Sequence, residues 1–531
     1  MRCSRRRFLL GAAAATLLSG CGSADGQLTL SSTPPPTVAN YDLIVYGANL
    51  AGTMAALRAS LHGHRVCVLE PTGTVGGAIA AGLGSTDLPL DQSLLQGMTR
   101  SSFYVGIGAR YGSQGPLYAF EPSVAEAVTA ALLQQARATL ILNAPVDGPG
   151  DVYSSAGRLL SIRTSHGWIR GSFFVDASYE GDLMAATGTP YTVGREGSDV
   201  YDETYAGFYP RGADHAGGLV PNTGYPVGPQ PETDPGEQDQ KTQAYRFSCV
   251  LTNRASNQIP FPRPADYDAS LYALVLQEIE AQGVSSLLDV VGAGTVAPNG
   301  KVLIGRGLLV SSELPGASWA YPDASWAARR PIVARHLRWQ QGLYHWLATD
   351  PGVPAVLRAD AATWGLPADE FVNGPHGTGW PGSLHVKEGR RLIGAYVLTE
   401  KDQFGTGATK DTSICQWSHE RDCGVVQLYP NGRAEVVGEG PLTGAKPVDT
   451  YQIPAECLFP KSRDLQNLAV AVCFSASHVG YSSTRFEPVY GMIGEACGEL
   501  ASLCIERHLA AQDYPYDDLA SRLIDGGSSL F

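Results

Sequence analysis

The stretch from Tyr41 to Gly77 constrains this chain most, because it reads as a single βαβ unit. Leu43-Ile44-Val45-Tyr46 is apolar without interruption, as a strand buried on both faces of a parallel sheet must be. Gly47 ends that strand in a tight turn, a helix is predicted from Leu50 to Leu61, and a second strand from Arg65 to Leu69 runs into Glu70. Gly52 allows the helix to pack close to the sheet, and the helix start presents N–H groups suited to an anion. Glu70 follows the first glycine at roughly the 20-residue spacing at which an acid accepts hydrogen bonds from a ribose. The expectation is a bound dinucleotide of the adenosine type.

The middle glycine of the G-x-G-x-x-G pattern is absent, since the turn reads Gly47-Ala48-Asn49-Leu50-Ala51-Gly52. Asn is the non-glycine residue that best tolerates a left-handed backbone, so the turn is expected to survive, with a side chain that could crowd the phosphates. A strand-turn-helix without a ligand is the alternative. The preceding strand, the following helix and Glu70 argue against it.

The N-terminus belongs to a different kind of segment. Ser4-Arg5-Arg6-Arg7-Phe8-Leu9 leads into an apolar run ending at Leu18, followed by Ser19-Gly20-Cys21. The run is too short for a membrane span, which needs ~20 residues. Residues 1–21 resemble a twin-arginine export signal ending in a bacterial lipobox, with Cys21 as the lipidated residue. An ordinary cleavage site with an incidental cysteine is the alternative. Residues 22–40, with Pro34-Pro35-Pro36, read as a flexible linker. The expected location is periplasmic or cell-surface, with membrane attachment through Cys21.

The formal net charge is −13 over 531 residues, and the leader contributes Arg2, Arg5, Arg6 and Arg7 without an acid, so the remainder is more acidic still. That argues against nucleic acid as a partner. It leaves a small-molecule substrate and an electron acceptor that the sequence does not name. No C-x-x-C pair occurs among the ten cysteines, so neither a metal site nor dithiol chemistry has support. Cys415 and Cys423 fall in a polar stretch where a disulfide is conceivable. His62-Gly63-His64 reads as a helix C-terminal cap rather than a metal site.

Further along, Glu121 to Ala136 has helical spacing, Leu140-Ile141-Leu142 with Val146 reads as a strand, and Asp151 to Trp168 as a small β-meander. Phe173 to Ser178 forms another strand. Residues 196–463 change character, with Gly, Pro and Asp punctuating short elements and helical pieces at Leu271 to Gln282 and Ala327 to Leu347. From Asp464 the core pattern returns as a strand from Leu468 to Val472 and a helix from Val489 to Arg507 with a small-residue face. The fold class is α/β: a Rossmann-like domain with a parallel sheet and β-meander, built from residues 41–195 and 464–531, around an inserted α+β substrate or cap region at 196–463.

These landmarks, with Phe120-Glu121-Pro122, Val175-Asp176-Ala177-Ser178-Tyr179-Glu180-Gly181-Asp182-Leu183, Gln243 to Phe247, Lys387-Glu388-Gly389-Arg390-Arg391 and Ser475-Ala476-Ser477-His478-Val479 through Arg485-Phe486-Glu487-Pro488, resemble the FAD-dependent oxidoreductases of the glutathione-reductase-like superfamily. The resemblance implies FAD. It places Glu70 on the adenosine ribose, Gly47, Ala48, Asn49, Ala51 and Gly52 around the pyrophosphate, and Val146 on the adenine through its backbone. Gly76 and Gly77 let their loop pass close to the cofactor. Asp182 belongs to a turn near it, where it and Asp176 are architectural rather than acid/base groups. The N–H groups of Val489, Tyr490 and Gly491 face the N1/O2 edge of the flavin.

Three catalytic candidates follow. His478, between the last strand and the helix, could take a substrate proton, or could instead hold the 485–487 loop. Arg485 faces the same region, with Glu487 expected as its ion-pair partner. Arg390, with Arg391, could bind a substrate carboxylate, or could simply flank an element. No G-x-S-x-G, H-E-x-x-H or G-x-x-x-x-G-K-[ST] motif offers other chemistry. The function expected is oxidation of a small organic substrate by hydride transfer to FAD N5. A redox-inactive surface-binding lipoprotein, whose best support is Asn49, and a flavoenzyme of elimination or isomerisation are the alternatives.

Overall fold

The computed structural model describes residues 36–210, 214, 215, 219, 227–404, 409–431, 435–444, 447, 450–461, 463 and 465–531. The leader 1–21, Cys21, most of the linker and Asp464 lie outside the described residues. β1 (Thr37–Tyr46), α1 (Leu50–Leu61) and β2 (Val66–Leu69) make the expected unit, with Leu43 opposite Val66 and Tyr46 opposite Leu69 in parallel register. β3 (Thr139–Ile141) adds to the far edge of β2, also parallel. Val146 lies beyond it, in the connection that follows.

The meander is β4 (Val152–Ser155), β5 (Arg158–Thr164) and the first half of β6 (Gly167–Asp176). The two strands expected at the end of the meander and at Phe173 are thus one strand. β6 runs parallel to β1 along one edge, Asp176 opposite Tyr46. Its other edge takes β5 antiparallel at residues 167–170 and the strand Leu468–Val470 in parallel at 174–176. The sheet is therefore assembled from both ends of the chain. Its connecting turns Gly47, Glu70 and Ala177 all leave from the C-terminal ends of strands, where open α/β sheets bind ligands.

One face of the sheet is covered by α1 and the long helix Glu487–Arg507, which starts two residues earlier than expected. Their contact depends on the small-residue face: a Cβ at Gly494 would stand 2.1 Å from the Ala51 carbonyl oxygen, and one at Gly498 2.6 Å from that of Ala55. Leu398, Trp417, Ile453 and Phe459 share this core, so the packing does not change at residue 464 as the division into domains expected. A second core, including Phe247, Leu274, Leu343 and Trp380, belongs to the inserted region, where the helix Trp326–Thr349 is the longest element described. Cys415 and Cys423 are buried, free thiols in strands of different two-stranded sheets, so the conceivable disulfide is not formed.

Asn49 differs from expectation in an informative way. Its backbone is extended (φ −81°, ψ −171°), not left-handed. The side chain caps α1, Oδ1 accepting the Gly52 N–H at 3.1 Å, and Nδ2 donates to the Ala177 carbonyl at 2.5 Å. It thus ties the first turn to the loop after β6. The cap is worth about 1 kcal/mol and the buried Ala177 carbonyl a similar amount. Asn49→Ala is expected to lower unfolding free energy by about 2 kcal/mol, read as a shifted urea midpoint at unchanged slope.

Candidate active site

A cleft of about 510 Å³ opens over the ends of β1 and β2. Gly47, Asn49, Glu70 and Gly77 form its floor, Tyr179 and Glu180 one wall, and the helix Trp326–Thr349 its roof through Arg329, Arg330, Val333 and Leu337. Gly47 needs its glycine, with φ at +109° and the Ala177 carbonyl carbon 2.8 Å from where a Cβ would stand. A Cβ on Gly52 would come 1.9 Å from the Gly47 oxygen, so close helix–strand packing requires this glycine too. Burial raises the Glu70 carboxyl above its usual range, against the pull of the bonds it accepts from Ala48 and Thr72. Oε2 takes the Ala48 N–H at 2.7 Å, and Oε1 takes the Thr72 N–H and hydroxyl at 2.9 and 2.7 Å. A carboxylate has about four acceptor positions, so one is left for a ligand.

Ala48, Ala51, Gly52 and Gly76 shape the floor from behind. Ala51 lies under Gly494, and the Gly76 N–H donates to the Ala48 carbonyl at 2.8 Å. Val146 does not line the cleft, and its N–H is donated to the Tyr46 hydroxyl at 3.0 Å.

Tyr179 also lines a second, much smaller chamber of about 20 Å³, shared with Asp87, His385, Lys387, Arg485, Glu487 and Tyr490. Such a volume admits little more than a water. The Ala78 N–H donates to the Tyr179 hydroxyl at 2.9 Å, and that hydroxyl donates to Glu487 Oε1 at 2.5 Å. Glu487 Oε2 is buried and has no hydrogen-bond partner among the described residues. Burial pushes this carboxyl up to about 7, only partly offset by Tyr179. Burial also pulls the Lys387 ammonium down to about 8, with Glu313 opposing and Arg246, Arg306 and Arg485 assisting. Two groups displaced toward neutrality thus share one enclosed space.

The expected ion pair of Arg485 with Glu487 is not formed. Arg485 instead donates through Nε to the Asp422 carbonyl at 2.7 Å and through Nη2 to the Asp422 carboxylate at 2.6 Å. Val489 and Gly491 are in the core, Gly491 turned toward Thr99 and Leu50, and the Tyr490 N–H bonds to the Phe486 carbonyl. Of those three residues only Tyr490 lines the chamber.

His478 is also corrected as a base. It is buried away from both cavities, Nδ1 2.9 Å from Glu388 Oε1 and Nε2 3.8 Å from Cys423 Sγ. Burial works against its charge, yet Glu388 overrides it and lifts the imidazole to about 10, which leaves no free base near neutral pH. Arg390 and Arg391 are likewise engaged within the protein. Arg390 bonds to Asp182 at 2.8 Å and Asp323 at 2.9 Å, while Arg391 pairs with Glu388 and, at 2.6 Å, with Glu196. Asp182 holds Arg329 as well, at 2.6 and 2.7 Å, so it meets the cleft only through that arginine. His62 is the C-cap of α1 and contacts Glu499 at 2.7 Å, and no group of three His, Cys, Asp or Glu that could hold a metal occurs among the described residues.

A family model described as FAD dependent oxidoreductase matches residues 42–523. The chain belongs to this family. Its cofactor is FAD, and it is an oxidoreductase on a Rossmann-type flavoprotein fold. No curated protein sequence matches it. Among solved structures it is similar to glycine oxidase from Geobacillus kaustophilus (17% identity, TM-score 0.23, 30% of this chain and 63% of that one). It is also similar to L-proline dehydrogenase from P. horikoshii (12% identity, TM-score 0.23, 30% and 58%). The chain covers less than two thirds of either protein.

The cleft fits the cofactor of this flavoenzyme by its donor set. Glu70 keeps an acceptor position for a ribose, the first turn of α1 offers N–H groups that no helical carbonyl can pair, and Arg330 has no ion-pair partner among the described residues. The redox-inactive reading loses its footing, because Asn49 preserves the turn. Sequence reasoning missed Tyr179, Lys387, Arg330 and the chamber role of Glu487. The signal available was Pro488, whose place at a helix start puts Glu487 in the first turn.

The His478–Glu388 pair has a pH signature. A raised histidine pKa means that the pair stabilises fully below the ordinary value of about 6.5 and loses its contribution as pH rises through about 10. His478→Gln is expected to cost about 3 kcal/mol at pH 6. Chemical unfolding of both proteins should show the gap narrowing toward pH 10.

Proposed function

We propose that this flavoenzyme oxidises a small organic substrate whose polar end enters the chamber beside Tyr179, and that it is exported and lipid-anchored. FAD, when bound, supplies the acceptor for a two-electron oxidation by hydride transfer. The observation that carries the reading is the unpartnered, buried Oε2 of Glu487 on the wall of an enclosed chamber. At and above about pH 7 this carboxylate accepts a proton from a substrate O–H or N–H. The Tyr179 hydroxyl, itself held by the Ala78 N–H, fixes Oε1 and leaves Oε2 free for that proton. Lys387 keeps a positive charge opposite it up to about pH 8. The chamber has room for little water, which strengthens each of these interactions.

Purified protein is expected to show flavin absorbance near one equivalent. A colourless protein that takes up no FAD on reconstitution would remove the reading. In the flavin-loaded enzyme, kcat/KM should rise with pH through about 7 and fall above about 8. Glu487→Gln should lower kcat by roughly 10²–10⁴ and abolish the acid limb while flavin content is kept. An unchanged acid limb would rule out Glu487 as the base.

Export rests on Arg5-Arg6-Arg7 before the apolar run, and anchoring on Leu18-Ser19-Gly20-Cys21. Among the described residues no helix is long and apolar enough to cross a membrane. In a bacterial host, radiolabelled palmitate should enter the protein and be lost in Cys21→Ser. Absence of label in the unaltered chain would leave an ordinary cleaved leader.

A further inference from the structure

The chamber carries more positive charge than its own carboxylates match. Glu313 serves two cations, in contact with Lys387 Nζ and 3.6 Å from Arg246 Nε. Asp422 likewise serves two, Arg485 at 2.6 Å and Arg306 at 2.8 Å. Both carboxyls are held below their usual range despite burial, by these cations, so each counts as one full negative charge against two positive ones. Two further acids line the wall: Glu487, half-neutral at pH 7, and Asp87, whose carboxyl is raised above its usual range by burial and by Asp422. Lys387, Arg246 and Arg485 are nine-tenths or more buried, and the Arg246 Nε–H has no hydrogen-bond partner among the described residues. Buried charge without a counter-charge is costly, and an anion from outside would relieve it.

The donors that such an anion would meet are identifiable. Asp422 engages Nε and Nη2 of Arg485, a residue that lines the chamber, and Nη1 makes no hydrogen bond among the described residues. Lys387 gives one of its three N–H groups to Glu313 and keeps two. With about 20 Å³ available, the space takes a flat carboxylate group at most, with the rest of the molecule outside it, and no tetrahedral phosphate or sulfate. We propose that the chamber binds a carboxylate of the substrate through Arg485 and Lys387, so that the substrate is a small organic acid. This rests on the reading of the chamber as the substrate site.

The test uses the flavin-loaded enzyme with acetate and propionate, their amides, and inorganic phosphate, followed by calorimetry and by perturbation of flavin absorbance. Acetate and propionate should bind saturably, and acetamide, propionamide and phosphate at least tenfold more weakly. Arg485→Met and Lys387→Met should each weaken carboxylate binding by tenfold or more, and Arg485→Lys should lose less. Amides or phosphate that bind as well as the acids would overturn the proposal. So would variants that shift the flavin spectrum of the free enzyme without changing carboxylate affinity, because the cations would then serve the cofactor. Flavin-loaded enzyme that binds no carboxylate sinks the acid assignment alone, whereas protein that takes up no flavin sinks the reading beneath it.

Discussion

The cleft depends on one carboxylate. Asp182, at the start of the short helix after β6, accepts from Arg329 through both oxygens and from Arg390 through one. Arg329 belongs to the helix that roofs the cleft, and Arg390 to the segment that leads from Lys387. All three side chains are buried, so their desolvation is offset only while the set is complete. Burial opposes the Arg329 and Arg390 charges, but Asp182 raises both above the usual guanidinium range. The roof, the strand-end turn and the chamber wall are thereby held together at one point, and the cleft has its width because that point does not give.

This arrangement shows why sequence reasoning chose several residues of the right region with the wrong roles. Asp182 was expected near the cofactor and Arg390 near a substrate carboxylate, and each is the other's partner. His478 was placed correctly between strand and helix, but Glu388, which sets its charge, comes from the inserted region. Arg485 and Glu487 are two residues apart, a spacing that suggests a pair. A helix begins between them, and their side chains turn to Asp422 and Tyr179 instead. Pairings across the chain decide which charges are left over for a ligand, and no local pattern encodes those pairings.

What was legible rests on local physics. β1, α1 and β2 follow from an apolar run, a turn glycine and a helical period: the helix spans Leu50–Leu61 and β2 ends at Leu69 as expected, while β1 begins earlier, at Thr37. The return of the core pattern near the end of the chain was legible for the same reason, as a strand of Leu, Ala and Val before a helix with a small-residue face. Asn49 marks the limit of this reasoning. Two devices can satisfy the same turn, a left-handed residue or a side-chain cap, and only the backbone angles tell which is used.

Glu487 and Lys387 show how a single cause makes a reactive space. Burial opposes charge of either sign, so it raises the acid and lowers the base, and the two meet near neutrality without any direct bond between them. The surrounding arginines act on Lys387 in the same direction as burial, whereas Glu313 alone restrains it. An anion entering the chamber would act as a second Glu313. It would raise Lys387 and hold it charged, while its own negative charge would raise Glu487 further and delay its ionisation. Both titrations of the occupied chamber would then lie at higher pH than those of the empty one. A site of this kind therefore carries its substrate's charge into its own acid–base balance, and the enclosed volume that excludes water is what makes the coupling strong.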